Sequence, residues 1–525
     1  MIVRKMKGLS LILLLSFANC VLSGCSKNKI KDTNQGTGSG NGQTTNPKIE
    51  SVDPASTNPG DTVLINGVNF GNNPSIVTVN FNDQSAQVIS VADFRIQLIV
   101  PPPGDKNWSN IVVKSAGKSS NSFLFTYRLA KPKIDSLYPS VVAAGSNIEI
   151  LGSGFGNRKD DVTITFGGNP VSFSAVEDKS IKLLVPPYSG EKSVGVQVVV
   201  KSYKSNTFTL YYKNVPYSNP VSNTSLPDPT IVRGKDGWFY SYASEDTRGM
   251  PIMKSKDLTN WIWTGLRVFS DNTRPDFLKD GGLWAPDINY VNNKYVLWYS
   301  LSLWGEEHTN GVGVATADNP EGPFTDKGKL FTSDEIGVQN SIDPALFVNE
   351  DGSKSLFWGS LRGLYMIEMN NDGLSIKQGV VKQKVAGNGM EGVYIYKRGN
   401  YYYLFASAGS CCNGVNSTYH LVVGRSANLA GPYVSKSGNS LLDGNYTNVI
   451  EGNSSFAGPG HCSQIFTDSD ENEWILYHAI GKRNTTQYSS RMLMLDRLYW
   501  DSGGWPYVGN NGTPSVTSSG PIFKN

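Results

Sequence analysis

The chain has 525 residues, room for three domains that each bury a core. Its 47 Lys and Arg nearly balance 44 Asp and Glu, and a formal charge of +3 leaves no basic footprint for nucleic acid. An aromatic content of 11% beside 55 glycines predicts an all-β chain of aromatic and β-branched strands joined by tight turns.

At the N-terminus, Arg4, Lys5 and Lys7 precede an apolar run from Leu9 to Phe17, too short to span a bilayer. Leu22-Ser23-Gly24-Cys25 follows and resembles the bacterial lipobox, in which the cysteine is lipidated. Residues 1–24 are therefore expected to be a lipoprotein signal peptide and Cys25 the lipidation site. Residues 25–46, polar and with nothing to bury, are expected to be a tether. The expected location is the outer membrane, at the cell surface ahead of the periplasmic face, with the lipid as the only membrane contact. With Cys20 in the signal and Cys25 modified, Cys411, Cys412 and Cys462 remain. Three cysteines make no disulfide framework, and none has zinc-ligand spacing. A bond between the adjacent Cys411 and Cys412 is left open.

Next comes an internal repeat at an offset of 85 residues. PKIESVDPASTNPGDTVLINGVNFGNN starts at Pro47 and PKIDSLYPSVVAAGSNIEILGSGFGNR at Pro132, so that Gly60 matches Gly145, Phe70 Phe155 and Pro101 Pro186. Short alternating strands punctuated by Gly, Asn and Pro predict two β-sandwiches, at 47–128 and 132–213. The G-x-x-F-G turn and the later V-P-P resemble IPT/TIG immunoglobulin-like domains. Neither unit carries clustered acids or histidines, so a spacer role is expected before a binding one.

From residue 219 to 525 a different unit recurs: a polar anchor, an apolar strand, a turn, then an aromatic strand. LPDPTIVRGKDGWFYSYAS carries Asp228, WAPDINYVNNKYVLWYS Asp287, and IDPALFVNEDGSKSLFWGS Asp343. EGVYIYKRGNYYYLFASAG carries Glu391 and GHCSQIFTDSDENEWILYHAI His461. The anchors lie 59, 56, 48 and 70 residues apart, room for a four-stranded blade each, and predict a five-bladed β-propeller. In such a fold the first strand of every blade lines one axis. The anchors, four acids and a histidine, are thus expected at one mouth. A packed core would not select unpaired carboxylates there, and crowding of like charges raises at least one pKa. Trp284 and Trp304 are candidate stacking platforms for sugar rings. His308, His420 and His478 carry no comparable signal.

The motifs PDPT (227–230), LWAPDI (283–288), NSIDPALF (340–347), MEGVYIYKRGNYYYLF (390–405) and GPGH (458–461) stand in the order seen in glycoside hydrolase family 43, which this region resembles. CCNGVNSTYHLVVGRS (411–426) is similar to a segment of the endo-α-1,5-arabinanases of that family. The resemblance implies inverting hydrolysis of arabinan, with Asp228 as general base, Glu391 as general acid and Asp343 as a third carboxylate that keeps Glu391 protonated. It implies a metal at His461, Ca²⁺ with waters completing its shell. Substrate-binding candidates are Trp284, Trp304, Asn340 and Asp287, the last also readable as a structural residue bonded to nearby backbone. Pro227 stands where such arabinanases often have His, which leaves linkage and endo or exo action open. An α-L-arabinofuranosidase or β-xylosidase of the same family is the alternative, ahead of a non-catalytic glycan-binding surface protein.

Overall fold

The computed structural model describes residues 45–524, apart from 105, 129–130, 188–190, 246–247 and 483–489. The signal, the lipobox with Cys25 and nearly all of the tether fall outside the described residues. Among those described, no helix is long and apolar enough to cross a membrane. The chain divides into two compact units, 1–130 and 131–525.

The first unit is a sandwich of one four-stranded and one six-stranded sheet. Its strands alternate, as in Thr62–Val68, where Val63 and Ile65 point into the core and their neighbours do not. Phe70 is fully buried at the centre among Ile49, Ile96, Leu98 and Phe125. Burying one such ring is worth about 1.5–3 kcal/mol.

The second unit begins with the second copy of that sandwich, in the same strand order. The offset read from the sequence survives in detail. Phe155 takes the place of Phe70, and Gly152 that of Gly67. A Cβ on either glycine would lie 2.0 Å from a carbonyl oxygen, that of Lys133 or Lys48, so the repeat needs glycine there.

Five antiparallel sheets follow, four of four strands and the last of five. Their second strands are buried on both faces. Tyr295 to Ser302 is an unbroken buried run, because each sheet is covered by a neighbour on either side. This explains why YVLWYSLS reads as continuous apolar sequence rather than alternation. The fourth strand is the wet edge, with Ile262, Trp263 and Leu266 of Ile262–Arg267 exposed.

Neighbouring sheets are stitched by backbone N–H groups at the starts of the first strands. Ala285 N–H donates to Ser244 Oγ (2.7 Å), Asp343 N–H to Ser300 Oγ (2.9 Å) and Gly392 N–H to Asp343 Oδ2 (3.1 Å). His461 N–H donates to Ser407 Oγ (2.8 Å), and Asp228 N–H to His478 Nδ1 (3.1 Å). The last bond joins the fifth sheet to the first. The same two ends are tied by Val221 N–H to the Leu493 carbonyl and Leu226 N–H to that of Arg491.

The second sandwich is seated on the first of the five sheets. Lys192 forms an ion pair with Asp257 at 3.4 Å, both side chains mostly buried. Strand Pro216–Ser218 pairs with Thr517–Ser519 near the C-terminus. A buried pair costs more when broken than an exposed one, so this joint resists hinging.

Candidate active site

The five strand starts share an unusual backbone. Asp228 (φ 51°), Ala285 (39°), Asp343 (58°), Gly392 (61°) and His461 (50°) all lie in the left-handed region. For the four non-glycine residues this costs about 1–3 kcal/mol each, and such outliers gather at functional sites. The backbone thus corrects the alignment of anchors. The position matching Asp228 and Asp343 is Ala285 in the second sheet, not Asp287, and in the fourth it is Gly392, one residue past Glu391.

These starts open on a cavity of about 440 Å³. Asp228, Asp343, Glu391, Trp284, Trp304, Asn340 and His461 all line it, so seven sequence-derived candidates from five separate sheets or their loops share one space. Asp287 does not line it. Two residues further along its strand, it lies buried below the floor, where Leu346 N–H (2.7 Å) and Asn289 Nδ2 (2.8 Å) donate to Oδ2 and Gln464 Nε2 (3.2 Å) to Oδ1. Its substrate-binding assignment is therefore corrected to a structural one. Asn340 borders the cavity with its amide engaged, donating to the Ser360 carbonyl and accepting from Asn310 Nδ2. Trp304 is 78% exposed and meets Trp284 edge to face at 6.3 Å, a geometry that leaves a broad ring face toward solvent.

Burial pushes the Asp287 carboxyl up to about 7, against the donors that favour its charge. The sign follows from the two states. Below pH ~4 folded and unfolded chains both hold the proton; between about 4 and 7 only the folded chain does, so stability falls as pH rises through that window. Asp287→Asn should flatten this decline. The wild-type Tm should drop from pH 5 to pH 8 by at least about 2 °C more than the variant's. Parallel Tm–pH curves would refute the assignment of that titration to Asp287.

Asp228 is gripped from several sides. Arg491 Nη1 donates to Oδ1 at 2.6 Å and Ser244 Oγ to Oδ2 at 2.6 Å. His461 Nδ1 and His478 Nδ1 stand 3.3 and 3.4 Å from Oδ1. Burial works against its charge, but Arg491 first and then Ser244 outweigh it and hold the carboxyl well below the usual range. Asp228 is ionised at any working pH. Asp343 has the opposite fate: burial first, then the charges of Glu391 and Asp228, push it well up. The crowding of like charges thus raises one of the carboxyls, that of Asp343. Glu391 accepts from Ser360 Oγ at 2.7 Å. Burial lowers the pKa of both His461 and His478, which leaves both rings neutral.

Arg491, His478, Ser244 and Ser360 were not found by sequence reasoning. Arg491 stands just before the apolar strand Met492–Trp500, with no local signal. His478 had one. The aromatic strands close on Ser244, Ser300, Ser360 and Ser407, and the fifth places His478 there instead.

Cys411 and Cys412 form a disulfide, which settles the open bond, and both border the cavity. Cys462 is buried as a free thiol. Among the described residues, no group of three or more His, Cys, Asp or Glu side chains could hold a metal. A calcium ion at His461 would take one imidazole nitrogen from the protein and its oxygen ligands from water, a thin donor set for a hard cation.

Residues 217–506 match the profile of Glycosyl hydrolases family 43, and 47–127 and 132–212 match the IPT/TIG domain. The chain belongs to glycosyl hydrolase family 43. It is 33% identical over 318 residues to an extracellular exo-α-(1→5)-L-arabinofuranosidase of Cellvibrio japonicus, covering 55% of this chain and 87% of that protein. It is 31% identical over 297 residues to an extracellular endo-α-(1→5)-L-arabinanase of Bacillus subtilis, covering 54% and 88%. A solved α-L-arabinanase of Cellvibrio cellulosa, complexed with arabinohexaose, aligns at 31% identity and a TM-score of 0.49 over 55% of this chain and 96% of its own. As a family 43 enzyme the chain is a glycosidase that hydrolyses O-glycosyl bonds. The family 43 match starts at 217, within the short strand Pro216–Ser218 that pairs with Thr517–Ser519.

Proposed function

We propose that this glycosidase degrades arabinan, hydrolysing α-1,5-linked arabinofuranosyl bonds with inversion on a five-bladed propeller. The convergence of Asp228, Asp343 and Glu391 on one cavity carries the reading. The propeller is supported by the five consecutive sheets and by the hydrogen bond from Asp228 to His478 between the first and last of them. The substrate is supported by the two arabinan-active relatives.

Inversion requires one carboxylate to take a proton from water on one face of the sugar and one carboxyl to protonate the leaving oxygen on the other. Asp228, kept ionised by Arg491, is the base. Glu391 is the acid: Ser360 engages Oε2, and the other oxygen is left to face the glycosidic oxygen. Asp343 stands beside Glu391 as the third carboxyl, its own proton held by burial and by the charges of Glu391 and Asp228. It also receives the Gly392 N–H and so fixes the residue next to Glu391. Trp304 and Trp284 offer ring faces to the sugars. Incubating the full chain with linear α-1,5-arabinan tests the substrate: short oligosaccharides of mixed length mean endo action, and one product from the first minutes means exo action, the mode named for the Cellvibrio relative. Release of sugar only from xylo-oligosaccharides would overturn the arabinan assignment.

Two subordinate proposals stand beside this one. A calcium ion at His461 would support the site without entering the chemistry; it requires calcium to raise the Tm of the wild type and not of His461→Ala. Lipid attachment at Cys25 would hold the enzyme at the outer membrane; mass spectrometry of the membrane-extracted chain must then find acyl groups at that residue.

A further inference from the structure

Three of the left-handed strand starts are held by a repeated device; Gly392 departs from it by donating to the Asp343 carboxylate, and Asp228 departs from it through a histidine. Ala285, Asp343 and His461 each donate their N–H to a serine hydroxyl, Ser244, Ser300 or Ser407, at the end of the preceding sheet's aromatic strand. In the fifth sheet the corresponding residue is His478, and the N–H it receives, at 3.1 Å, is that of Asp228. A serine hydroxyl both donates and accepts and turns about its own bond. A neutral imidazole accepts only through its unprotonated nitrogen. Accepting at Nδ1 puts the ring proton on Nε2, so the two roles cannot exchange without retautomerisation. The ring is also immobile: its side chain is fully buried and stacks on Tyr419 at 5.6 Å with 7° between the planes.

Asp228 needs such an anchor more than its counterparts in the fourth and fifth sheets. It precedes Pro229, whose ring crowds the preceding backbone out of helical conformations, yet its φ is 51°. Ser244 and Arg491 hold its carboxylate, but they act at the far end of the side chain. The backbone itself is held by His478. Ala285 and Asp343, also followed by proline, have Ser244 and Ser300 in that place, and neither is asked to meet a water.

We propose that His478 is the positioning residue of the general base: its Nδ1 fixes the Asp228 backbone in the left-handed conformation that aims the carboxylate at the water. This rests on the reading of Asp228 as base. The test compares two amides in the full-length enzyme on linear α-1,5-arabinan. In His478→Asn the amide oxygen stands where Nδ1 stood; in His478→Gln it stands one atom further, near the place of Nε2. The asparagine variant should keep kcat within about threefold. The glutamine variant should lose about 10²-fold in kcat, the usual cost of displacing a catalytic group by about 1 Å, with KM within about threefold. Equal kcat in the two variants, high or low, would overturn the proposal, as would a loss that appears in KM. If Asp228→Asn itself stays active, the assignment of the base has failed. If Asp228→Asn is dead and His478→Gln is fully active, only the role of His478 has failed.

Discussion

Glu391→Gln should lower kcat on arabinan by about 10²–10⁴-fold, the usual contribution of a positioned acid, and should cost far less on a nitrophenyl arabinofuranoside. A glycosidic oxygen departing from a sugar leaves as an alkoxide unless it is protonated. A nitrophenolate is stable enough to leave unaided. The acid is therefore indispensable only for the poor leaving group. Glutamine keeps the length of the side chain and can still accept the Ser360 hydroxyl, so the cavity should hold its shape. The expected pattern is a large loss on polymer, a small one on the activated substrate, and little change in KM on either. An equal loss on both would mean that Glu391 does something other than protonate the leaving group.

Asp228→Asn gives the complementary pattern: turnover should fall by at least about 10³-fold on both substrates, because every substrate needs the water activated. The basis is the set of partners around Asp228. Arg491 at 2.6 Å and Ser244 at 2.6 Å present an ionised carboxylate, and the amide would put a donor where Arg491 also donates. The pH profile follows from the same contacts. Since these partners hold Asp228 below its ordinary value of 3.8, the wild type should show no acid limb from this group above about pH 4. Removing the guanidinium in Arg491→Gln should move that limb upward. The stability contribution has the matching sign: present above the unfolded value, lost as pH falls below it. A base-side loss in Asp228→Asn confined to polymer would contradict the assignment.

How much of this could be read in the chain itself varies with the physics of each feature. The two sandwiches were legible because an 85-residue offset repeats both the buried positions and the glycines that no other residue can replace, Gly67 and Gly152 among them. The five sheets were legible from the aromatic strands, whose burial on both faces makes them long apolar runs. Asp228, Asp343 and Glu391 were legible because carboxylates at strand starts have no reason to be there in a core. Asp287 misled for a physical reason. The proline, not the acid, marks the register: Ala285-Pro286 matches Asp228-Pro229 and Asp343-Pro344, so the acid in WAPD falls two residues deeper than the acid in PDPT. Arg491 was out of reach because it acts across 263 positions of sequence, from a stretch with no periodic signal. His478 was within reach, as the one histidine in a column of serines, but the column becomes meaningful only once the N–H groups it serves are seen.

The most direct test of the whole account is the configuration of the first product. Proton NMR of linear α-1,5-arabinan mixed with the full-length enzyme, recorded within the first minutes, should show the β-anomer of the new reducing end before mutarotation restores the α form. That order requires a water attacking from the Asp228 side while Glu391 protonates the opposite face. The α-anomer appearing first would contradict the single-displacement geometry on which the roles of all three carboxyl groups depend.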